Sequence, residues 1–144
     1  MSDERHARQL VVFTLGSEQY ALPIQHVHEI IRYAQPRTVA SREPWVRGVL
    51  NLRGRIVPIY DLAARLGVSS QFGEQSKIVI VETGSETAGV IVDGVEEVLT
   101  VEDSQFEEAP AVDTSLIDGI VKTEDRLVVL LTPASLFESL AEAA

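Results

Sequence analysis

The chain has 144 residues, 45% of them hydrophobic, a formal net charge of −10 and no cysteine. That length holds one ordinary domain or two very small ones. The charge argues against general binding to nucleic-acid phosphates, and the missing thiols exclude disulfides, thiolate catalysis and zinc–cysteine sites. No apolar run approaches the roughly 18 residues that span a bilayer, and Met1-Ser2-Asp3-Glu4-Arg5-His6 carries no apolar signal core, so a cytoplasmic protein is expected.

Short β-branched runs bounded by turn residues predict strands along most of the chain. The first five are Leu10–Leu15, Gln19–Leu22, Ile30–Ala34, Val46–Leu52 and Arg55–Tyr60. Between the first two, Gly16-Ser17 reads as a hairpin turn, because glycine supplies positive φ. Pro23 to Val27 reads as a short helical turn with proline at its start. Asp61 is placed to cap a helix over Leu62–Leu66 that Gly67 ends. Ser69 to Ser76 is the most linker-like stretch. Five further strands follow, at Lys77–Glu82, Ala88–Val92, Glu96–Thr100, Gly119–Thr123 and Leu127–Leu131, with Gly84-Ser85 as a second hairpin turn. Glu102 to Asp113 reads as an acidic loop. A C-terminal helix is predicted over Pro133–Leu140, with Leu136, Phe137 and Leu140 on one face.

The two sets of strands repeat each other. At an offset of 68, Gly16-Ser17-Glu18 falls on Gly84-Ser85-Glu86, Val27 on Val95, Glu29 on Glu97 and Ile30 on Val98. At an offset of 71, Gly48 falls on Gly119 and Arg55-Ile56-Val57 on Arg126-Leu127-Val128. Two degenerate copies of a strand-rich unit imply two similar β-subdomains. Five short strands close naturally into a small barrel, which leaves no open sheet edge.

Charge is divided unevenly. Residues 32–65 hold seven arginines against Glu43 and Asp61, a local +5, whereas residues 66–144 carry −13. Three of those arginines, Arg47, Arg53 and Arg55, interrupt the apolar segment Trp45–Leu62. A packed sheet with a fixed cationic edge is a recognition surface suited to an acidic protein partner.

No catalytic constellation is legible. There is no nucleophile elbow and no phosphate-cradling glycine loop. His26 and His28 have no third ligand nearby, Glu96-Glu97 and Glu107-Glu108 are adjacent carboxylates of a solvated face, and no metal or other cofactor is called for. Glu29 and Arg53 are either independent surface residues or a pair in which the carboxylate holds the planar guanidinium in one orientation. Trp45 serves either the core or an interface.

The motifs Gly48-Val49-Leu50-Asn51-Leu52-Arg53-Gly54, Ile56-Val57-Pro58-Ile59 and Asp61-Leu62 resemble the signature of CheW-type chemotaxis coupling domains. Val11-Val12-Phe13-Thr14-Leu15-Gly16, Tyr20-Ala21-Leu22-Pro23-Ile24, Val27-His28-Glu29-Ile30 and Gly89-Val90-Ile91-Val92-Asp93-Gly94-Val95 match in the same order. The resemblance implies an all-β fold: two small five-stranded SH3-like barrels side by side, with short helices and the C-terminal helix. It implies a single domain over residues 7–140, with approximate subdomains 9–68 and 77–131 between which strands cross. It further implies a non-enzymatic scaffold that couples chemoreceptor cytoplasmic tips to the regulatory domain of a CheA histidine kinase, in the cytoplasm at receptor arrays, with no membrane insertion. Carried over residue by residue, the receptor-binding positions are Val27, Glu29, Gly48 and Arg53; Val49 joins Val27 as the floor of a helix-binding groove between the barrels that Arg53 rims, and kinase contact is placed at a separate barrel end around Tyr33 and Val39. The alternatives are an adaptor of a pilus or other non-flagellar array and, remotely, a small β-barrel enzyme.

Overall fold

The computed structural model describes residues 7–41, 43–70, 73–84, 86–108, 116–123 and 125–133. The described residues hold eleven strands: β1 Ala7–Leu15, β2 Glu18–Pro23, β3 Val27–Arg32, β4 Val46–Leu52, β5 Arg55–Asp61, β6 Lys77–Thr83, β7 Glu86–Val92, β8 Gly94–Glu102, β9 Phe106–Glu107, β10 Ile117–Lys122 and β11 Leu127–Leu131. All ten expected strands are present. The eleventh, β9, lies inside the expected acidic loop, where two residues are too few to show an alternating pattern. The turn after Pro23 is a single 3-10 turn, Ile24–His26, and β3 begins at Val27, three residues earlier than its apolar pattern indicates. Helix α1 spans Leu62–Leu66, as expected: the Asp61 side chain accepts from the Ala64 N–H, and Gly67 closes it at φ 76°. Beyond Pro133, the expected C-terminal helix lies outside the described residues.

The strands form a six-stranded sheet, β8-β1-β2-β11-β10-β9, and a five-stranded sheet, β3-β6-β7-β5-β4. Each sheet therefore takes strands from both copies of the repeat. Matching the copies as β1 with β6, β2 with β7, β3 with β8, β4 with β10 and β5 with β11 gives both sheets the same order, but with the first hairpin of each copy completing the other's sheet. Registers repeat as well. Val27 opposes Val81 and Glu29 opposes Ile80, while Val95 opposes Phe13 and Glu97 opposes Val12. The parallel contacts follow suit, Ile59 with Gly89 and Leu130 with Ala21.

Three cores result. Val57, Ile59, Ile78, Ile80 and Ile91 fill the five-stranded barrel. Leu10, Val12, Ala21, Val101, Val121, Val128 and Leu130 fill the other. Phe13, Leu15, Tyr20, Leu22, Tyr60, Val79, Val81, Val90 and Val92 pack in a shared core. On β6 the alternation is strict, with Ile78 and Ile80 facing into the barrel and Val79 and Val81 facing the shared core. A strand buried on both faces reads as an unbroken apolar run, which is why Ile78-Val79-Ile80-Val81 shows no polar alternation.

Candidate functional site: the mouth of the five-stranded barrel

A β-bulge sets the geometry here. In β3 the register slips between Val27 and Glu29, leaving His28 as the extra residue. In a regular strand, residues two apart share a face; a bulge reverses that. Val27 therefore opposes Val81 and packs against the shared core, while Glu29 opposes Ile80 on the barrel side. Opposite, the β4–β5 turn is tightened by the Asn51 Oδ1, which accepts from the Gly54 N–H at 2.9 Å. Arg53 and Gly54 there take positive φ, 52° and 87°.

These two pieces meet at the barrel mouth. A cavity of about 190 Å³ is lined by His28, Glu29, Leu52, Arg53, Arg55, Val57, Ile80 and Thr87. The Arg53 Nη2 donates to the Glu29 carboxylate, so of the two sequence readings the paired one holds geometrically. Glu82 anchors the other side: Arg55 Nη1 lies 3.7 Å from its Oε2, and Arg55 Nη2 donates to Thr87 Oγ1 at 3.0 Å. His28 stands between the two carboxylates, 3.9 Å from Glu29 Oε2 and 3.6 Å from Glu82 Oε1. The result is a ring of two guanidiniums, two carboxylates and an imidazole around an apolar floor. Among the described residues no group of three or more histidine, aspartate and glutamate side chains could hold a metal ion.

Of the seven expected contact residues, Glu29 and Arg53 line this mouth. Val27 is half-buried against the shared core. Gly48 is buried, and Val49 uses its backbone to bridge Arg37. Tyr33 packs against the floor of the barrel, its N–H bonded to the Ser76 carbonyl at 3.2 Å, and Val39 is exposed at 40%. Trp45 takes the core role, packed against the shared core with the Arg65 guanidinium 4.7 Å over its ring.

Sequence reasoning missed Glu82 and Thr87; it counted Arg55 in the cationic edge without a partner and set His28 aside as lacking a third ligand. Arg55 and Glu82 carried a signal, being charges at the ends of apolar strands. The second barrel repeats the pattern, with Arg126 donating to Glu97 and, at 3.2 Å, to Gln19 Oε1. Exposed apolar residues recur at matched positions too, Ile30 and Ile56 in the first copy and Val98 and Leu127 in the second.

Residues 9–141 match the model of the CheW-like domain family. The chain belongs to the CheW-like family. It is 33% identical to the chemotaxis protein CheW of Klebsiella aerogenes over 96% of this chain and 87% of that protein. To the chemotaxis protein CheW of Bacillus subtilis it is 34% identical, over 85% of this chain and 82% of that protein. The crystal structure of the scaffolding protein TtCheW from Thermoanaerobacter tengcongensis superposes with a TM-score of 0.82 at 35% identity, covering 87% of this chain and 88% of that one. The paired SH3-like barrels are thus the CheW fold, and family membership makes the protein a chemotaxis coupling adaptor. Protein PilI of Pseudomonas aeruginosa is 34% identical over a shorter stretch, 58% of this chain and 47% of that protein.

Proposed function

We propose that the protein bridges a chemoreceptor's cytoplasmic helical tip to a CheA-type histidine kinase without catalysing a reaction. The observation that carries this reading is the barrel mouth, where an ion-paired ring closes over an apolar floor of Leu52, Val57 and Ile80, with Ile30 and Ile56 exposed next in sequence to Glu29 and Arg55. An amphipathic helix presents an apolar stripe flanked by charge, which is the complement of that surface. Glu29 and Arg53 form the receptor-facing pair, supported by Val27, Gly48 and Val49. Arginine serves well here because its fork holds one bond to Glu29 while keeping further donors for a partner. Tyr33 and Val39, on the chain between β3 and β4, form the kinase-facing element. No described helix is long and apolar enough to cross a membrane, and the protein acts in the cytoplasm, held at receptor arrays by its partners. Flagellar chemotaxis is favoured over a pilus output because the chemotaxis relatives align over most of the chain.

The test is reconstitution. Purified protein is mixed with the cytoplasmic fragment of a chemoreceptor and with the kinase regulatory domain from the same organism. It should sediment with each separately and with both together, and kinase activity should respond to receptor only in its presence. Failure to bind either partner removes the coupling role, and turnover of a small substrate by the chain alone removes the non-catalytic one.

A further inference from the structure

We propose that Gly48 is a positioning residue that couples the two proposed contact surfaces. By lacking a side chain it lets the segment after β3 seat on β4, so that Val39 and Val49 are held as one body. The functional half of this inference rests on the receptor and kinase assignments above; the structural half stands on the backbone alone.

Strand β4 is an edge of its sheet, with β5 as its neighbour there. Its outer side receives the chain at Arg37 through two reciprocal bonds. Arg37 N–H donates to the Val49 carbonyl at 2.8 Å, and Val49 N–H donates to the Arg37 carbonyl at 2.9 Å. Gly48 lies directly beneath. A Cβ at Gly48 would stand 2.0 Å from the Arg37 carbonyl oxygen, 2.7 Å from its carbon and 3.2 Å from the Thr38 Cα. Every one of those atoms is backbone, so no side-chain rotation relieves the clash. Gly48 also holds φ +144°, a conformation that residues with a Cβ rarely adopt. The β4 register breaks at the same place, between Val46 and Gly48.

The second barrel builds the same seat independently. Its register breaks between Ile117 and Gly119, a Cβ on Gly119 would stand 2.8 Å from the Glu107 carbonyl oxygen, and β9 pairs there through Glu107 and Ile120. A notch recurring in both copies belongs to how each barrel closes. What distinguishes the first barrel is the cargo of the seated segment. Tyr33 ties one end through its bond to the Ser76 carbonyl, Pro36 is buried, and a cavity of about 220 Å³ separates Gln35, Pro36 and Thr38 from Val46 and Arg47. Val39 follows the Arg37 bridge by two residues, a reach of about 7 Å at most. Fixing Arg37 to Val49 therefore confines Val39 to within that reach of the bridge.

The test compares Gly48→Ala, Arg37→Pro and Arg37→Ala with the wild type. Arg37→Pro removes one donor of the bridge and leaves Gly48 in place, so it decides the matter should Gly48→Ala fail to fold. Arg37→Ala keeps both backbone bonds and serves as the control. Amide hydrogen exchange is read without partners, and affinity is read for the receptor fragment and the kinase regulatory domain. The expected result is exchange at least tenfold faster at the Val49 amide in Gly48→Ala and Arg37→Pro, with both partners bound at least fivefold more weakly and Arg37→Ala close to wild type. Unchanged exchange with receptor binding alone lost would make Gly48 a direct contact and overturn the proposal. Faster exchange with both affinities intact would overturn the coupling. Should the wild type bind neither partner, the coupling-protein reading fails, while the exchange data still decide the seat.

Discussion

Arg53 reaches the Glu29 carboxylate although the two residues belong to opposite edges of one five-stranded sheet. Glu29 sits on β3, and Arg53 in the turn that follows β4. The sheet curls until its edges face each other, and the ion pair spans the seam. Arg53 is 66% exposed, and exposed pairs of this kind contribute about 0.2–1 kcal/mol to stability. The pair therefore orients a guanidinium more than it holds the barrel shut; Leu52, Val57 and Ile80 beneath it do that by burial.

Reversing Arg53 to Glu should consequently leave the fold intact and damage binding. Stability should fall by only about 1 kcal/mol, the upper worth of an exposed pair. Affinity for a receptor fragment should fall about tenfold or more, because an attraction is lost and two carboxylates then face the partner. The loss should shrink as salt is raised. Thermal melting and receptor binding at two ionic strengths measure this; normal receptor binding by a well-folded variant would remove Arg53 from the site.

Tyr60 offers a stability prediction with a defined sign. Its hydroxyl is buried without a hydrogen-bond partner, and burial, with Glu86 adding to it, pushes its pKa well above the ordinary 10.0. Tyr20 is raised to about 12, first by burial and then by Glu18. Both stay neutral in the fold at a pH where the unfolded chain would release the proton. Their contribution is thus complete below pH 10 and is lost as pH climbs toward the folded values. Tyr60→Phe should equal or exceed wild type in stability at pH 7, since an unsatisfied buried hydroxyl is removed, and its advantage should widen above pH 10. Denaturant melts at pH 7 and at pH 10.5 check it; a variant that loses ground in alkali contradicts the assignment.

Gly89 tests how tightly the five-stranded barrel is filled. A methyl there would meet Ile59 Cδ1 at 2.7 Å and Ile78 Cγ2 at 2.8 Å, both within a fully buried core. Gly89→Ala should cost about 1–3 kcal/mol, the usual penalty of overpacking. A variant as stable as wild type in urea would show that the two isoleucines have room to move.

Asp61 caps α1 through a 3.0 Å bond from the Ala64 N–H. Asp61→Ala should cost about 1 kcal/mol, and Asp61→Asn should recover most of it. Equal losses for both would mean that charge, not the hydrogen bond, is what the helix uses.

The sequence was most informative where local chemistry decides structure. Gly16 and Gly67 hold positive φ at the turns expected of them, and the Asp61 cap and every expected strand are present, with β3 shifted three residues earlier at its start. The repeat was visible because Val27 and Val95, or Gly48 and Gly119, occupy matched positions that the two folds need alike. What pattern could not show was exchange. Nothing in Val11-Val12-Phe13 says that it will pair with Val95 to Val98 rather than with its own copy's Val27 to Ile30, since both partners are β-branched and equally spaced. The bulge at His28 was hidden for the same reason. Period-two reasoning puts Val27 and Glu29 on one face, and only the register against β6 reveals that they part. Glu82 was missed because its role comes from a neighbour, Arg55, 27 positions earlier in the chain.

The exchanged hairpins also govern when the molecule can exist at all. On a ribosome, β1 and β2 emerge early and can form their hairpin at once, yet one edge of that hairpin waits for β8 and the other for β11, more than a hundred residues after β2 begins. The five-stranded sheet, by contrast, is complete once β7 has emerged. Synthesis thus imposes an order: the barrel bearing the Glu29–Arg53 mouth can close while the chain is still growing, and the outer one seals last around a hairpin made first. An adaptor assembled this way keeps one edge of β2 unpaired until translation is nearly done, so early release or a stall before β11 leaves Tyr20 and Ala21 without the strand that pairs with them.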